Sequence, residues 1–343
     1  MADSGEGAGA RRRSVRSRVL LAAIILLLAI GTAATTFILV TPPSAAPPAA
    51  PPAASPTPTT SATLPELPVG AMNILLIGSD IRGSAREAVA NQDAKGGVVD
   101  QRADMIMLVH VQADHRRVFG ISVMRDSWVA IPGHAESKVN ASLSLGGPRL
   151  VAETVGSLLS VRIDHYVMLD FDGFKAITDA LGGIDVNVPV AFAASFDTHH
   201  AFTQGMNHLD GQAALEFVRE RYSFADGDYQ RVRNQQAFVR AVIGQLLATG
   251  RVGGPAEAIA VVAHAAPYAL ADSGLDATGM AALAYGLRGI DPAASVFFTL
   301  PNAGTGTSPD GQSIVVPDSA GTAEVAGALA RDDLAGYVAA HGL

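Results

Sequence analysis

The sequence contains no cysteine, few charged residues and few aromatic residues. The absence of cysteine excludes disulfide bonds, thiolate catalysis and cysteine-type zinc sites in the 343-residue chain. Charged residues make up 16% of the chain and aromatic residues 6%, whereas 49% of the residues are hydrophobic, which is enough for a substantial core. The formal net charge of −8 argues against a general nucleic-acid binder, which would show the opposite balance.

Several common catalytic motifs are also missing. The chain has no G-x-S-x-G, no H-E-x-x-H and no dinucleotide-binding fingerprint. The segment "GSDIRGS", which begins at Gly78, is not a P-loop because no lysine follows its second glycine. These absences argue against the classes of enzyme that those motifs mark.

The N-terminal part of the chain divides into three segments of different composition. Residues 1–18 carry five arginines against two acidic residues and predict a basic cytoplasmic tail. Residues 19–40 have no charge and are long enough to cross a ~30 Å hydrocarbon core, which predicts a single transmembrane helix in the cell membrane with the rest of the chain extracytoplasmic. A cleaved signal peptide is the alternative, although its apolar region is usually shorter. Residues 41–68 are rich in proline and alanine and predict an extended linker.

Apolar runs that alternate with amphipathic segments predict an α/β domain over the rest of the chain. The runs "MNILLI" from Met72 and "MIMLVHV" from Met105 are typical of buried strands. The run "RRVFGISVM" follows the second strand across a short turn, so the pair predicts an antiparallel hairpin. Helical patterns between and after these strands predict helices on both faces of one central mixed sheet.

Fixed positive charge is concentrated in the stretch "VRERYSFADGDYQRVRNQQ". Arg219 and Arg221 are two residues apart and share a face if the backbone there is extended. Asp228 is the expected N-cap of the next helix, on which Arg231 and Gln235 share one face at i, i+4. Guanidinium groups bind phosphate oxygens through paired hydrogen bonds, so this pattern predicts an anion site. The alternative is a solvated loop with local ion pairs.

Charged residues also occupy the predicted strand ends. Asp80 follows the first strand, and Arg102 and Asp104 lie at the start of the second, a position at which α/β sheets commonly bind ligands. Asp80 and Asp104 would suit Mg²⁺, which binds carboxylates, water and substrate phosphates. A structural Arg–Asp pair is the alternative. Four further candidates follow the third strand: Arg125, Asp126, Lys138 and Asn140.

The order and spacing of these blocks resemble the LytR-CpsA-Psr family of extracytoplasmic phosphotransferases. The matching blocks are "NILLIGSD", "RADMIML", "SVMRDSWVAIPG", "KVNASLSLGG", "GGIDV" and "LDGQAALEFVRERYSFADGDYQRVRNQQ". The later stretch "LPNAGTGTSPDGQSIVVPD" is similar to the C-terminal portion of actinobacterial members. The resemblance implies an α-β-α sandwich with an apolar tunnel for a polyprenyl tail. It places the catalytic domain at residues 69–250 and a C-terminal extension, packed on the same domain, at residues 251–343.

The resemblance also implies an activity. Family members transfer a phosphoglycan from a polyprenyl-pyrophosphate carrier to a hydroxyl of peptidoglycan, with pyrophosphatase activity as a side reaction. The implied partners are therefore the lipid-linked glycan, the peptidoglycan acceptor and the membrane, and nucleic acid is not among them. Mg²⁺ is the implied cofactor, with Mn²⁺ as a substitute. The alternative function is a non-enzymatic, membrane-tethered binder or sensor of polyprenyl phosphates or wall polymers.

Individual roles follow from the resemblance, position by position. Asp80 and Asp104 would bind the metal, and Asp126 and Asp228 would orient neighbouring arginines. The residues implied to act in catalysis are Asp104, Arg125, Arg219 and Arg221. The residues implied to bind pyrophosphate are Arg102, Arg125, Lys138, Arg219, Arg221, Arg231 and Gln235. The chain departs from the usual family pattern on either side of Asp104, since Ala103 replaces a serine and Met105 replaces a threonine.

Overall fold

The computed structural model describes residues 63–80, 101–249, 252–263 and 265–343. The predicted tail (1–18) and transmembrane helix (19–40) lie outside the described residues, as does most of the predicted linker (41–68). Within the described ranges, no helix has both the length and the apolar character needed to cross a membrane. At the end of the linker, Leu64 and Leu67 pack against the core of the domain.

The described part of the chain contains fourteen strands and eight α-helices. The strands are β1 (Met72–Ser79), β2 (Ala103–Val111), β3 (Val118–Ser122), β4 (Trp128–Val129), β5 (Ser137–Lys138), β6 (His165–Leu169), β7 (Ile184–Val188), β8 (Phe192–Ala193), β9 (Ala201–Phe202), β10 (Gly205–Leu209), β11 (Ala269–Ala271), β12 (Val296–Thr299), β13 (Asn302–Thr307) and β14 (Ser313–Pro317). The helices are α1 (Ala141–Leu159), α2 (Phe171–Ala180), α3 (Gly211–Arg219), α4 (Asp228–Thr249), α5 (Pro255–Ala263), α6 (Ala277–Gly286), α7 (Ser319–Ala330) and α8 (Leu334–His341).

Six strands form the central sheet in the order β11-β6-β1-β2-β3-β12. Strand β2 is antiparallel to both β1 and β3, which confirms the predicted hairpin. Strand β1 is parallel to β6, and β3 is parallel to β12, so the sheet is mixed, as predicted. The two outer strands, β11 and β12, both come from residues 251–343.

Helices cover both faces of this sheet. Along β1, Ile74 and Leu76 contribute to one buried cluster, and Leu75 and Ile77 contribute to another. Helices α2 to α6 pack in the first cluster, and α1, α7 and α8 pack in the second. The α-β-α arrangement explains why "MNILLI" is apolar except at Asn73, because a strand buried on both faces has no polar side.

The strand directions place one group of loops together. Strands β1, β3, β6 and β12 all run the same way, so their carboxyl ends meet at one end of the sheet. The start of β2 lies there too, because β2 runs antiparallel to its neighbours. The short β4–β5 hairpin brings Lys138 back opposite Trp128. We call this region the carboxyl end of the sheet; it is the usual ligand site of α/β proteins.

A close approach between α2 and α3 fixes the helix that ends at Arg219. A Cβ added at Gly211 would lie 2.3 Å from the backbone oxygen of Lys175, which cannot move aside on its own. We therefore expect Gly211→Ala to lower the free energy of unfolding by about 1–3 kcal/mol, the usual scale of overpacking, and to lower Tm in thermal unfolding. Gly244→Ala in α4 is the matched control, because a Cβ there meets no heavy atom within 4 Å. Equal Tm values for the two variants would contradict the close approach.

Candidate active site

Arg125 lies just after β3, at the carboxyl end of the sheet, and contacts several carboxylates. Its Nη1 donates to Asp104 Oδ1 at 2.5 Å, and its Nε donates to Asp228 Oδ2 at 3.0 Å. Asp126 Oδ2 lies 3.7 Å from the same Nε. Burial alone would lower the pKa of Arg125, but Asp104 and Asp228 outweigh burial and raise this pKa above its ordinary value. Arg125 is therefore a fixed positive charge.

Asp228 is shared by three arginines. It accepts hydrogen bonds from Arg125 Nε at 3.0 Å, from Arg221 Nη1 at 3.2 Å and from Arg231 Nη2 at 2.9 Å. We call these four residues the arginine cluster. Burial alone would raise the pKa of Asp228, but the charges of Arg231 and Arg125 bring it below its ordinary value. The carboxylate therefore stays ionised and holds three like charges in one place.

Two sequence predictions for this stretch are wrong in detail. Asp228 does not cap α4 but is its first residue, because its carboxylate binds guanidinium groups, which are stronger partners than a neutral backbone N–H. Arg219 and Arg221 do not form one extended pair either. Helix α3 includes Arg219, and extended backbone begins only at Glu220, with φ −64° and ψ 132°. By contrast, Asp170 and Asp210 do cap α2 and α3, and their side chains accept from the N–H groups of Gly173 and Ala213.

Arg231 and Gln235 lie one turn apart on α4. The side chain of Arg231 is only 6% exposed, and burial together with repulsion from Arg125 lowers its pKa. Its Nε is a buried donor that has no hydrogen-bond acceptor among the described residues. Gln235 Nε2 donates to the backbone oxygen of Val218 at 3.3 Å. An anion beside α4 would supply the acceptor that Arg231 Nε lacks.

Lys138, at the end of β5, adds a positive charge beside Asp126, which follows β3. Its Nζ lies 3.2 Å from Asp126 Oδ1, and both side chains are half-buried. Asp126 therefore contacts two basic residues, Arg125 and Lys138, which matches the orienting role implied by the resemblance.

Asp80 and Arg102 are joined through the backbone. The N–H of Arg102 donates to Asp80 Oδ1 at 2.8 Å, and the N–H of Asp80 donates to the oxygen of Arg102 at 3.3 Å. The side chain of Arg102 is exposed. Burial first, and then repulsion from Asp104, raises the pKa of Asp80. A divalent cation would relieve this repulsion between two carboxylates.

The donor set at Asp80 and Asp104 fits Mg²⁺ better than a softer metal. The described ranges contain no group of three or more His, Cys, Asp or Glu side chains placed to hold a metal. Mg²⁺, however, is usually held by one or two carboxylates, with water and substrate phosphates as its other ligands. The two carboxylates therefore fit a metal that binds together with a phosphate.

Arg219 faces different partners from the arginine cluster. Its Nη1 donates to Asp197 Oδ2 at 3.1 Å. Its guanidinium carbon lies 4.4 Å from the ring centre of Phe171 and 5.1 Å from that of Phe196. None of these three partners is predicted from the sequence. Each lies in a loop or at a helix start more than twenty residues from Arg219, where spacing carries no signal.

An apolar pocket opens beside the charged residues. It lies between β1, β6 and helices α2, α3 and α4, and the space that water-sized molecules could occupy within it is about 70 Å³. Its wall is mainly aliphatic and aromatic, and includes the Phe174 and Phe238 rings, whose centres are 5.0 Å apart. Its charged and amide lining residues are Asp104, Asp170, Arg219 and Gln235. Two of the phosphate-binding candidates, Arg219 and Gln235, therefore line the apolar pocket. This combination suits an amphiphile with an anionic head and a hydrocarbon tail.

Two buried glutamates, Glu216 on α3 and Glu220 directly after it, hold the loop that faces Arg219. Glu216 accepts hydrogen bonds from the backbone N–H groups of Thr198 and His200, at 3.1 Å and 3.0 Å. Glu220 accepts from the N–H and the hydroxyl of Ser195. Neither residue is predicted from the sequence to have a role. The available signal was a pair of glutamates four residues apart on either side of the apolar segment "FV" at the end of α3.

Comparison with known proteins identifies the family. The sequence profile described as "LytR_cpsA_psr family" matches residues 53–331, so the chain belongs to the LytR-CpsA-Psr family. The chain is 35% identical over 173 residues to the polyisoprenyl-teichoic acid–peptidoglycan teichoic acid transferase TagU of Bacillus mycoides, covering 50% of this chain and 51% of that protein. It is 31% identical over 218 residues to the probable cell wall biosynthesis protein LcpB of Corynebacterium glutamicum, covering 63% and 52%.

The fold agrees with a solved member of this group. The crystal structure of B. subtilis TagV superimposes with a TM-score of 0.64 at 25% identity, covering 78% of this chain and 98% of that chain. The chain spans about half the length of the curated relatives named above.

Asp228 provides a test of the arginine cluster. Asp228→Asn removes the shared counter-charge, so we expect a loss of about 3–5 kcal/mol in the free energy of unfolding, the usual cost of breaking a buried ion pair. Added inorganic pyrophosphate should restore part of Tm, because a bound anion replaces the missing charge. The folded pKa of Asp228 lies below its unfolded value of about 3.9, so its contribution is complete above that pH and is lost as the pH falls through the folded pKa. Asp228→Asn should therefore flatten the acid end of the stability curve.

The control for this test is Asp226→Asn. Asp226 pairs with Arg233, and both side chains are about half exposed. An exposed pair contributes about 0–1 kcal/mol, so this variant should unfold close to wild type at all pH values. Equal losses in the two variants, or a lack of any response to pyrophosphate in Asp228→Asn, would contradict the shared-charge role.

Proposed function

We propose that this protein is a Mg²⁺-dependent phosphotransferase that moves a glycopolymer phosphate from a polyprenyl-pyrophosphate carrier to a hydroxyl of peptidoglycan. Such a reaction attaches secondary polymers to the cell wall. One observation carries the proposal: phosphate-binding side chains meet an apolar pocket, and Arg219 and Gln235 belong to both. Membership of the LytR-CpsA-Psr family supports it, as does the likeness to TagU, a polyisoprenyl-teichoic acid–peptidoglycan transferase by name.

The charges of the site suit a pyrophosphate. The proposed ligands are Arg102, Arg125, Lys138, Arg219, Arg221, Arg231 and Gln235. Six of these seven residues are basic, and the acidic residues Asp104, Asp126 and Asp228 hold four of them in place through ion pairs. Arg231 Nε would find its acceptor in a phosphate oxygen. Because the guanidinium groups are positioned before the substrate arrives, little reorganisation is needed as charge develops.

The proposed reaction is a phosphoryl transfer with a balanced exchange of bonds. The acceptor hydroxyl oxygen bonds to the phosphorus that carries the glycan, and the bond from that phosphorus to the bridging oxygen breaks. Polyprenyl phosphate leaves, and the hydroxyl proton passes to a base, for which Asp104 is the candidate. Arg125, Arg219 and Arg221 stabilise the charge that develops on the phosphates. The pocket holds the apolar tail and keeps the leaving phosphate beside the arginines.

Asp80 and Asp104 are the residues that would hold the metal. Bound Mg²⁺ neutralises phosphate charge and acts as a Lewis acid. Mn²⁺ prefers similar oxygen ligands and is the expected substitute. The proposed anchor at residues 19–40 would keep the pocket near the membrane that supplies the lipid substrate.

A non-enzymatic binder or sensor of polyprenyl phosphates is the second candidate. One observation favours it: Arg125 already engages Asp104, and an ion pair of this kind also serves in a site that only binds. A binder needs neither turnover nor metal. The two candidates therefore differ in what the carboxylates do.

Arg219 and Arg221 provide the test of transition-state stabilisation. Arg219→Ala and Arg221→Ala should each cost about 2–4 kcal/mol, or roughly 30-fold to 1,000-fold in kcat/KM, by analogy with the loss of an oxyanion donor. The measurement is release of polyprenyl phosphate by the full-length protein with Mg²⁺. Arg233→Ala is the control, because Arg233 pairs with Asp226 and is half exposed. Rates near wild type for the first two variants would remove them from the site.

The carboxylates provide the test of metal dependence. We expect Asp80→Asn to raise the Mg²⁺ concentration needed for half-maximal activity, because one metal ligand loses its charge. Asp104→Asn should abolish turnover and still bind the sugar-free polyprenyl pyrophosphate, measured by titration calorimetry. Turnover that survives complete chelation of divalent metal would contradict the metal assignment. Lipid binding by wild type without any turnover would favour the binder.

A further inference from the structure

Aromatic rings and guanidinium groups form a connected series of contacts from Phe171, which lines the pocket, to Tyr222, which is exposed. The guanidinium of Arg219 lies between the rings of Phe171 and Phe196, at 4.4 Å and 5.1 Å. The Phe196 ring meets the Tyr222 ring edge to face, with 5.5 Å between ring centres. The guanidinium of Arg221 lies 4.6 Å from the centre of the Tyr222 ring. We call Phe196 and Tyr222 the aromatic rim; it lies between the two arginines that would bind the pyrophosphate.

Tyr222 is exposed and yet held in place. Its side chain is 64% exposed, and its hydroxyl accepts a hydrogen bond from Arg221 Nη2 at 2.6 Å. A single exposed aromatic residue is ordinary on a protein surface. This ring is different, because one neighbour stacks on it and a second meets it edge to face. An ordered aromatic surface loses little conformational entropy when a ligand binds to it.

The loop that carries Phe196 is fixed on both sides. Glu220 accepts from the Ser195 N–H, and Glu216 accepts from the Thr198 N–H, so both neighbouring segments of the loop are bound to α3 or to the residue that follows it. Both glutamates are fully buried, and a buried carboxylate is tolerated only where hydrogen bonds compensate for lost hydration. Burial alone would raise the pKa of Glu220, but the N–H groups of Ser195 and Ser223 bring it below its ordinary value. The rim is therefore a rigid platform.

The position of the aromatic rim determines which part of the proposed substrate can contact Phe196 and Tyr222. The hydrocarbon tail belongs in the apolar pocket, and Phe196 and Tyr222 lie outside its lining. The pyrophosphate belongs between Arg219 and Arg221. The next group outward is the sugar bonded to the second phosphate. One face of a pyranose ring presents C–H groups, which complement the negative face of an aromatic ring, while the sugar hydroxyls remain in water.

We propose that the aromatic rim stacks on the first sugar of the donor, the sugar esterified to the pyrophosphate. This inference rests on the proposed function and adds to it a site for the sugar next to the reacting phosphate. The rim then fixes the direction in which the glycan leaves the site, on the side away from the lipid tail.

The test compares two lipids that differ only in the sugar. The probes are a short-chain polyprenyl pyrophosphate and the same lipid carrying one N-acetylhexosamine, titrated into the full-length protein. Tyr222→Ala should weaken binding of the sugar-bearing lipid roughly threefold to tenfold, the scale of one aromatic contact, and leave the sugar-free lipid within about twofold of wild type. Tyr222→Phe should bind the sugar-bearing lipid like wild type, because it keeps the ring and loses only the hydrogen bond to Arg221.

Tyr285→Ala is the matched control. Tyr285 also carries an arginine over its ring, with Arg288 at 3.9 Å, but it lies on α6, which contributes no residue to the pocket or to the arginine cluster. This variant should bind both lipids like wild type.

Three outcomes would overturn the inference. Equal weakening of both lipids by Tyr222→Ala would make Tyr222 a positioning residue for Arg221. A loss in Tyr222→Phe as large as that in Tyr222→Ala would assign the effect to the hydroxyl. A change confined to the KM of the peptidoglycan acceptor would place the rim on the acceptor side. Failure of wild type to bind either lipid is a separate result, because it contradicts the proposed function itself.

Discussion

The site depends on one carboxylate that neutralises three guanidinium groups from different parts of the chain. Arg125 comes from the end of β3, Arg221 from the loop after α3, and Arg231 from α4, and all three bind Asp228. Without a negative charge between them, these half-buried cations would repel one another. The pairing therefore joins the sheet to the helices above it. An anionic substrate acts on the same cations, so ligand binding and local stability are coupled.

Much of the fold follows from short-range sequence patterns, for a physical reason. Strands buried on both faces give nearly continuous apolar runs, and "MNILLI" and "MIMLVHV", each with one polar residue, are correspondingly strong signals. Strand polarity then brings distant residues together, because parallel strand ends meet at one end of a sheet. Arg125, Asp104 and Asp80 could be grouped on that basis before any contact was known. Short elements with weak patterns, such as β11 and α8, were not foreseen.

The ion-pair and hydrogen-bond partners of each charged residue could not be predicted from short-range sequence patterns. Asp228 occupies the position at which a helix cap is expected. It instead neutralises Arg221, Arg231 and Arg125, and Arg125 lies more than a hundred residues earlier in the chain. Arg219 remains helical because no glycine or proline stops α3 before it. Glu216 looks like an ordinary polar position on a helix, and its role appears only when the loop at Thr198 folds onto it. Long-range pairing of this kind leaves no periodicity in the sequence.

The order of the strands has a consequence for the growing chain. Strands β1, β2, β3 and β6 are all made before residue 170, whereas the strands that flank them, β11 and β12, follow only at residues 269–271 and 296–299. Until then β6 and β3 present open rows of N–H and C=O groups, which are templates for pairing with another chain. The last quarter of the sequence is therefore what closes the sheet against aggregation, and a chain cut short before β12 would keep β3 exposed.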